Sequence, residues 1–239
     1  AVPVTVLLGI ATRMRLARLL LITGLRDGGD DLAGFVGDTL DAGVDIVQLR
    51  DPRAGDAALA AGFRRVREVV LTRKALAALY DALTVAEEVQ ADLLQVSERG
   101  PAAATARKHV HAWAQIGRSC HSRRQVDAAL RDPDVNFLTV GPVFGTGLLP
   151  VGGVELVSYA ARQAPPSDPS AKPWFAVGGI TGDNLAEVLE AGARRVAVSR
   201  AITDATDPAA ATAALKERLS QAWRDDPGMQ SFTLRSFGR

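Results

Sequence analysis

A hydroxyl and an imidazole stand two residues apart near the end of one predicted strand, at Ser119 and His121. Side chains alternate between the two faces of a strand, so these two share a face and Cys120 lies on the other. An imidazole in a cleft is a common general acid or base. A lone histidine at a strand end is also often only a polar cap, so proton transfer and a structural role both remain open here.

A second polar pair ends an earlier strand, where Gln48 and Arg50 alternate with Leu49. The pair faces one way and Leu49 the other. If the sheet closes into a barrel, Gln48 and Arg50 point into an interior where each polar group needs a partner, and a bound anion would supply one. An ion pair between Arg50 and an acid on a neighbouring strand, such as Asp81, explains the pattern equally well.

Two strands near the C-terminus end at residues that allow close approach to the backbone. Gly178 and Gly179 follow one apolar run, and Ser199 follows the next. Amide groups there can point at phosphate oxygens, because glycine has no side chain to block them. We therefore predict a phosphate site, although the glycines would also suit a tight turn. The glycine-rich stretch 141–147, which contains Thr146, is typical of a ligand loop.

Short apolar strands alternate with helical stretches along the chain, which is typical of βαβ units and a parallel sheet. We predict an α/β fold, a single (β/α)8 TIM barrel, whose functional residues lie where the strands end. A doubly wound open sheet is the alternative, but no glycine-rich dinucleotide turn follows the first strand. The predicted strands are 19–23, 45–50, 77–81, 92–96, 115–120, 136–144, 174–180 and 195–202.

The barrel is predicted over residues 17–223, after an N-terminal extension, 1–16, and before a tail, 224–239. The tail contains Gly, Pro and Ser without a clear period, so we expect it to be mobile. The apolar run 1–11 is about half the length needed to cross a bilayer, so no membrane span is predicted. A truncated signal sequence is the alternative for that run.

The composition favours a small-molecule ligand. The chain has 239 residues, a hydrophobic fraction of 47% and a formal net charge of +1. A hydrophobic fraction of this size is ample for one core, and a net charge so close to zero gives no basic surface for nucleic acid. We expect small phosphorylated substrates, no nucleic-acid or membrane partner, and a chain compatible with a homo-oligomer. The single cysteine, Cys120, suits a reducing compartment, so the cytoplasm is expected.

These motifs together resemble the thiamine phosphate synthase family over residues 17–223. The matching pieces are V-Q-L-R, the Asp of the third strand (Asp81), I-G-x-S-x-H, V-G-P-V-F-x-T, G-G-I and V-S-R-A-I, in that order. The family is a (β/α)8 barrel that joins an aminopyrimidine pyrophosphate to a thiazole phosphate with Mg2+, releasing pyrophosphate. The resemblance implies that the two glycines and the serine at the last two strand ends hold the thiazole phosphate. It also implies that the pyrophosphate is oriented by Gln48, Arg50 and Thr146.

Several positions depart from the family pattern. The resemblance places Mg2+ on Asp81, assisted by Glu98, although Glu98 stands one or two positions before the family's second carboxylate. Tyr80 stands where the family has Asn, and Pro52 where it has Lys, with Arg53 beside it as a substitute cation. The family's Thr-Pro-Thr-Lys run after the sixth strand retains only its first threonine. We therefore expect an intact phosphate site and a weakened pyrophosphate site.

Two alternatives to a transferase follow from these departures. The thiazole tautomerase, a barrel of the same superfamily, uses the histidine of an S-x-H-S run as acid and base, and this chain carries that run at residues 119–122. In that case Ser119 and His121 would be catalytic, and Asp81 would have no obvious role. The other alternative is a barrel that binds a phosphorylated ligand and catalyses nothing.

Overall fold

Eight parallel strands form the centre of the molecule in a computed structural model that describes residues 9–26, 31–145 and 151–237. The strands are short, buried and rich in branched apolar residues, as strands covered on both faces must be. They are β1 (Leu19–Thr23), β2 (Ile46–Leu49), β3 (Leu76–Tyr80), β4 (Leu93–Val96), β5 (Gln115–Cys120), β6 (Phe137–Val140), β7 (Trp174–Val177) and β8 (Val196–Val198).

Each strand pairs with the next one along the chain, and β8 pairs with β1. The closing register places Leu20 beside Ala197. This closed barrel confirms the predicted fold and excludes the open doubly wound sheet.

Helices follow the strands and cover the outside of the barrel. Asp31, Ser122 and Asp207 begin three of them, and each side chain accepts a hydrogen bond from a first-turn amide. The helices are α1 (Ile10–Leu16), α2 (Leu32–Asp41), α3 (Asp56–Thr72), α4 (Leu83–Val89), α5 (Ala103–Ala106), α6 (Arg123–Arg131), α7 (Gly153–Gln163), α8 (Leu185–Glu190), α9 (Arg200–Thr203), α10 (Pro208–Asp225) and α11 (Pro227–Phe237).

Three strands end well before their predicted ends. The seventh ends at Val177 rather than at residue 180. The sixth ends at Val140 rather than at residue 144, because Pro142 has no amide hydrogen to donate to a neighbouring strand. Pairing with β7 resumes beyond it, where Val143 N–H donates to the carbonyl of Val177 at 2.9 Å. The eighth ends at Val198 rather than at residue 202, because the chain turns there into α9.

Apolar side chains fill the lower half of the barrel interior. Phe137 and Phe175 meet edge to face, with ring centroids 6.5 Å apart. Gly117 leaves the space for Phe137, because a Cβ atom there would lie 2.2 Å from the ring. Met14 of α1 closes the barrel from below and is fully buried. Polar inward side chains therefore lie only in the upper layer, where the strands end.

The space between strands and helices forms the larger apolar layer, and Cys120 lies within it. This is the outward position that alternation along β5 predicts. Burial raises the pKa of the Cys120 thiol to about 12, so the side chain stays protonated and acts as a small apolar group.

The segment predicted as a mobile tail instead forms the end of α10 and then α11. Met229 and Phe232 of α11 are buried against Trp223. The segment forms a helix because its apolar residues, three positions apart, lie on one face and cover the underside of the barrel. The guanidinium of the buried Arg195 lies 5.1 Å from the Trp223 ring and donates to the carbonyl of Arg15, and burial lowers its pKa to about 9.

Among the helices that the structure describes, none combines the length and the apolar character needed to cross a membrane.

Candidate active site

A cavity of about 400 Å³ opens at the carboxyl ends of the strands. The fold places it there because the inward side chains become polar above the apolar lower layer. Seven of the residues that the sequence singles out line it together: Gln48, Arg50, Asp81, Glu98, Ser119, His121 and Gly178.

Four buried polar side chains make the floor of this cavity. Gln48 Nε2 donates to Gln95 Oε1 at 2.8 Å. Gln95 Nε2 donates to Ser119 Oγ at 2.9 Å and to Thr139 Oγ1 at 2.6 Å. Gln95 and Thr139 are not among the residues predicted from the sequence. A usable signal was present, since each lies two residues after an inward apolar residue of its strand, Leu93 and Phe137.

One atom of this floor lacks a partner. Gln48 is fully buried, and its Oε1 makes no hydrogen bond within the described residues. Gln48 lines the cavity, but this oxygen is itself buried. A buried carbonyl oxygen without a donor costs free energy.

Arg50 contacts an aromatic ring rather than a carboxylate. Its guanidinium carbon lies over the Tyr80 ring, 4.1 Å from the centroid. The predicted alternative, an ion pair with Asp81, is not among the ion pairs of the described residues. Asp81 instead accepts a hydrogen bond from Ser97 N–H at 2.8 Å. The Arg50 charge therefore faces the cavity without a carboxylate to neutralise it.

His121 and Glu98 form a pair at the cavity wall. His121 Nε2 lies 3.0 Å from Glu98 Oε2, and its Nδ1 contacts the carbonyl of Gly141. Arg99 Nε lies 3.5 Å from the other Glu98 oxygen. Burial, the largest single contribution, raises the pKa of Glu98, but its own backbone N–H, His121 and Arg99 together lower the pKa below its ordinary value.

Arg118, on the outer face of β5, contacts the loop that contains Glu98. Arg118 donates to the carbonyl of Pro101 at 2.6 Å and to that of Glu98 at 3.0 Å. The loop after β4 is therefore tied to β5, the strand that precedes His121. This fixes the distance between the carboxylate and the imidazole.

The predicted phosphate site has the required backbone shape. Gly178 and Gly179 have φ angles of 103° and 66°, in the region that favours glycine. A Cβ atom on Gly178 would lie 2.6 Å from Pro142 Cα, and one on Gly179 would lie 2.8 Å from Phe144 Cβ. The positive φ angles and the packing against the residues after β6 account for the two glycines as a tight turn, and phosphate binding there stays a prediction.

The neighbouring strand completes this edge of the cavity. Val177 pairs with Ala197, so the glycines after β7 and Ser199 after β8 end side by side. Ser199 precedes α9, and the amides of Arg200 and Ala201 come before the first hydrogen bond of that helix, from Ile202 N–H to the Ser199 carbonyl. Backbone donors from two adjacent strand ends are suited to a phosphate.

Comparison with known proteins agrees with this geometry. The family described as "Thiamine monophosphate synthase" matches residues 19–202. The chain belongs to this family.

The thiamine monophosphate synthase family also supplies the similar proteins. A relative named "Thiamine-phosphate synthase" from Saccharopolyspora erythraea is 41% identical over 219 residues, covering 88% of this chain and 96% of its own. One of the same name from Thermobifida fusca is 41% identical, covering 88% and 95%. The solved "Thiamine phosphate pyrophosphorylase from Pyrococcus furiosus" superimposes with a TM-score of 0.76 at 26% identity, covering 88% and 98%.

Mg2+ is associated with the thiamine monophosphate synthase family, and the carboxylates fit it unequally. Glu98 Oε1 lies 3.5 Å from Arg99 Nε and Glu98 Oε2 lies 3.0 Å from His121 Nε2, so both oxygens of this carboxylate are already engaged. In the described parts of the chain, no three His, Cys, Asp or Glu side chains are arranged to hold a metal ion. Asp81 fits better, because only its Oδ1 is engaged, and Mg2+ is often bound by one carboxylate plus phosphate oxygens.

The remaining predicted residues lie away from this cavity or outside the described residues. Arg53 is exposed, and its backbone N–H donates to Asp51 Oδ1 at 3.1 Å, while its Nε lies 3.7 Å from the same oxygen. It does not line the cavity that the structure describes. Thr146 lies outside the described residues.

Proposed function

We propose that this chain acts in thiamine biosynthesis, transferring an aminopyrimidine pyrophosphate onto a thiazole phosphate with release of pyrophosphate. The observation that carries the proposal is the cavity at the barrel mouth, which Arg50, His121 and Gly178 line together. One wall offers cations to a pyrophosphate and the opposite edge offers backbone amides to a phosphate. Membership of the thiamine monophosphate synthase family supplies the reaction.

The acceptor's phosphate binds at the ends of β7 and β8. Gly178 and Gly179 bring the backbone close to the ligand, and Ser199 adds a hydroxyl at the start of α9. This edge needs no side-chain cation, because backbone N–H groups stabilise the anion. The thiazole ring is thereby directed over the cavity floor.

The donor's pyrophosphate binds near Arg50, which carries no carboxylate partner within the described residues. Arg99 and His121 line the same wall. Thr146, which follows β6 in the sequence, and Arg53, which follows β2, are proposed as further contacts. Positive groups that face the leaving oxygens stabilise the charge that develops as they depart.

Asp81 is the carboxylate that would hold Mg2+, together with oxygens of the pyrophosphate. When bound, the ion would neutralise charge on the pyrophosphate as a Lewis acid. The Ser97 amide holds Asp81 in place through Oδ1, so Oδ2 is the oxygen available to a cation. Glu98 would act indirectly, by fixing His121 and Arg99 at the wall.

The proposed step breaks the bond between the pyrimidine's methylene carbon and the pyrophosphate oxygen, and the electron pair leaves with that oxygen. The thiazole nitrogen then donates its lone pair to the resulting carbon cation. No proton is transferred in this exchange, so His121 lines the cavity as a polar group and does not act as a base. The buried floor and the cavity keep the cation away from water, which would otherwise capture it.

A tautomerase acting on the thiazole phosphate is the second candidate. The contact of 3.0 Å between His121 Nε2 and Glu98 Oε2 favours it, because a carboxylate that orients an imidazole is a common acid-base arrangement. The phosphate edge would serve this reaction equally well. In a tautomerase, Arg50 and Asp81 would have no role in the reaction.

Pyrophosphate release separates the two candidates. The purified chain is incubated with both synthase substrates, with Mg2+ or with EDTA, and pyrophosphate is measured; each substrate alone is the control. Release that needs both substrates is expected. No release at high enzyme concentration rejects the transferase. Proton exchange on the thiazole carboxylate that His121→Gln abolishes would instead establish the tautomerase.

A further inference from the structure

Two guanidinium groups line the cavity from strand ends on either side of Asp81. We propose that Arg50 and Arg99 bind the pyrophosphate from both sides, so that this chain holds pyrophosphate without a metal ion. The inference deepens the proposed function and rests on it for the identity of the ligand. It gives Arg99 direct contact with the ligand, a role that no pattern in the sequence predicts for it.

The strand order sets the three charged groups side by side around the mouth of the barrel. Arg50 follows β2, Asp81 follows β3 and Arg99 lies in the loop after β4, and these three strands are neighbours. All three side chains line the same cavity. A pyrophosphate has two phosphate groups, so one ligand can meet both guanidinium groups.

The loop after β4 packs against Asp81. Ser97 N–H donates to Asp81 Oδ1 at 2.8 Å. A Cβ atom on Gly100 would lie 2.8 Å from the same oxygen, so the backbone itself approaches the carboxylate there. Arg99 lies between these two contacts along the chain, and its side chain therefore starts beside Asp81.

The guanidinium of Arg99 is accessible to a ligand. Its side chain is 88% exposed, and the contact of 3.5 Å between its Nε and Glu98 Oε1 is its only ion pair within the described residues. No hydrogen bond to another described residue occupies its two terminal nitrogens. A planar guanidinium with free terminal nitrogens is suited to a phosphate, because it can donate two parallel hydrogen bonds.

A metal ion would have few protein ligands in this cavity. Asp81 offers one oxygen, Oδ2, and both oxygens of Glu98 are engaged. Mg2+ that is bound by a single carboxylate keeps several waters, so the protein holds it weakly. The positive charges of Arg50 and Arg99 are part of the chain itself and attract the pyrophosphate whether or not the ion is present.

An exposed ion pair with Glu98 alone is the competing explanation for Arg99. Pairs of this kind on a protein surface contribute little to stability. If that were the whole role of Arg99, its removal would leave ligand binding unchanged. Binding of the anion therefore separates the two explanations.

The test measures binding of inorganic pyrophosphate by calorimetry, in EDTA and in saturating Mg2+. Wild type is compared with Arg99→Ala and with Arg64→Ala. Arg64 is the matched control, because it is an exposed arginine that pairs with a glutamate, Glu88, and does not line the cavity. Both substitutions remove one positive charge, so a difference between them reports contact with the ligand and not net charge. Because Arg99 is 88% exposed, Arg99→Ala should fold, and thermal unfolding checks this.

We expect wild type to bind pyrophosphate in EDTA with a dissociation constant within about tenfold of that in Mg2+, since one carboxylate holds the ion weakly. Arg99→Ala should weaken binding in EDTA by about tenfold or more, the effect of losing hydrogen bonds from a charged group. In Mg2+ the loss should be smaller, because the ion then supplies positive charge beside Asp81. Arg64→Ala should stay within about twofold of wild type under both conditions.

Binding by wild type that is detected only in Mg2+ would overturn the inference. So would an Arg99→Ala dissociation constant in EDTA that equals that of wild type or that of Arg64→Ala. Metal-free binding that depends on Arg99, together with no pyrophosphate release from the two substrates, would reject the proposed transfer and leave the inference standing. Binding only in Mg2+, together with pyrophosphate release, would do the reverse.

Discussion

The guanidinium carbon of Arg50 lies 4.1 Å from the centroid of the Tyr80 ring, at the wall of the cavity. Both side chains come from adjacent strand ends, and no carboxylate pairs with Arg50 in the described residues. An aromatic face holds a guanidinium in place without neutralising its charge. This contact keeps the positive charge of Arg50 available to an anionic ligand.

Replacing Tyr80 tests this support. Tyr80→Ala removes the ring, and we expect the KM for the pyrophosphate substrate to rise about three- to tenfold, since an exposed cation–π contact contributes about 0.5–1 kcal/mol and the ring also excludes water. Tyr80→Phe keeps the ring and should stay within about twofold of wild type. Steady-state kinetics measures both. Equal effects of the two substitutions would show that the hydroxyl, not the ring, matters.

The glycines after β7 give a second prediction. Gly178→Ala introduces a Cβ atom 2.6 Å from Pro142 Cα at a φ of 103°, so the loop must move. We expect thiazole phosphate binding to weaken by more than about tenfold, with a stability loss of about 1–3 kcal/mol. Gly182→Ala is the matched control, because a Cβ atom there meets nothing within 4 Å. Calorimetric binding and thermal unfolding check both variants.

Asp51 links the loops after β1 and β2. Its Oδ2 accepts from Leu25 N–H at 3.1 Å and its Oδ1 from Arg53 N–H at 3.1 Å. The Leu25 hydrogen bond is the main reason that the pKa of Asp51 is lowered, ahead of an opposing effect of burial and the contacts with Arg53. Both loops border the mouth of the barrel.

We expect Asp51→Ala to lower the free energy of unfolding by about 1–3 kcal/mol, because two backbone donors lose their acceptor. Asp51→Asn retains one acceptor oxygen and should lose less. Urea unfolding of both variants measures the difference. If Asp51→Ala unfolds at the wild-type urea concentration, the two hydrogen bonds do not hold the loops.

Much of the site was predictable from strand periodicity. Alternation along β2 and β5 puts Gln48, Arg50, Ser119 and His121 on inward positions, and the closed barrel brings those positions into one cavity. The barrel itself follows from eight apolar runs separated by helices. Local patterns suffice here because each inference concerns residues within one strand.

The contacts between strands were not predictable in the same way. Gln95 meets Gln48 across 47 positions of sequence, and Glu98 meets His121 across 23. Such pairs depend on barrel register and on loop shape, which no periodicity encodes. Likewise, the sequence allows Arg50 to pair with Asp81, whereas the structure places its guanidinium over the Tyr80 ring.

The Glu98 carboxylate gives a prediction about pH. Its folded-state pKa lies below the ordinary value of 4.5. Its contacts therefore stabilise the fold above that pH, and the contribution is lost as the pH falls through the folded-state value. We expect the difference in unfolding midpoint between wild type and Glu98→Gln to be full well above pH 4.5 and to shrink as the pH falls below 4.5. A difference that stays constant over this range would show that protonation of Glu98 is not involved.

The C-terminal helix α11 is expected to stabilise the fold. Phe232 is buried against Trp223, with ring centroids 6.0 Å apart, whereas Leu234 on the same helix is 76% exposed. Phe232→Ala should lower the free energy of unfolding by about 3–5 kcal/mol, since it opens a cavity beneath the barrel. Leu234→Ala, the matched control, should change it by less than about 0.5 kcal/mol. Because α11 lies on the face opposite the active site, substrate binding at a temperature where both variants are folded should equal that of wild type. Equal unfolding midpoints for the two variants would mean that α11 does not pack against the barrel in solution.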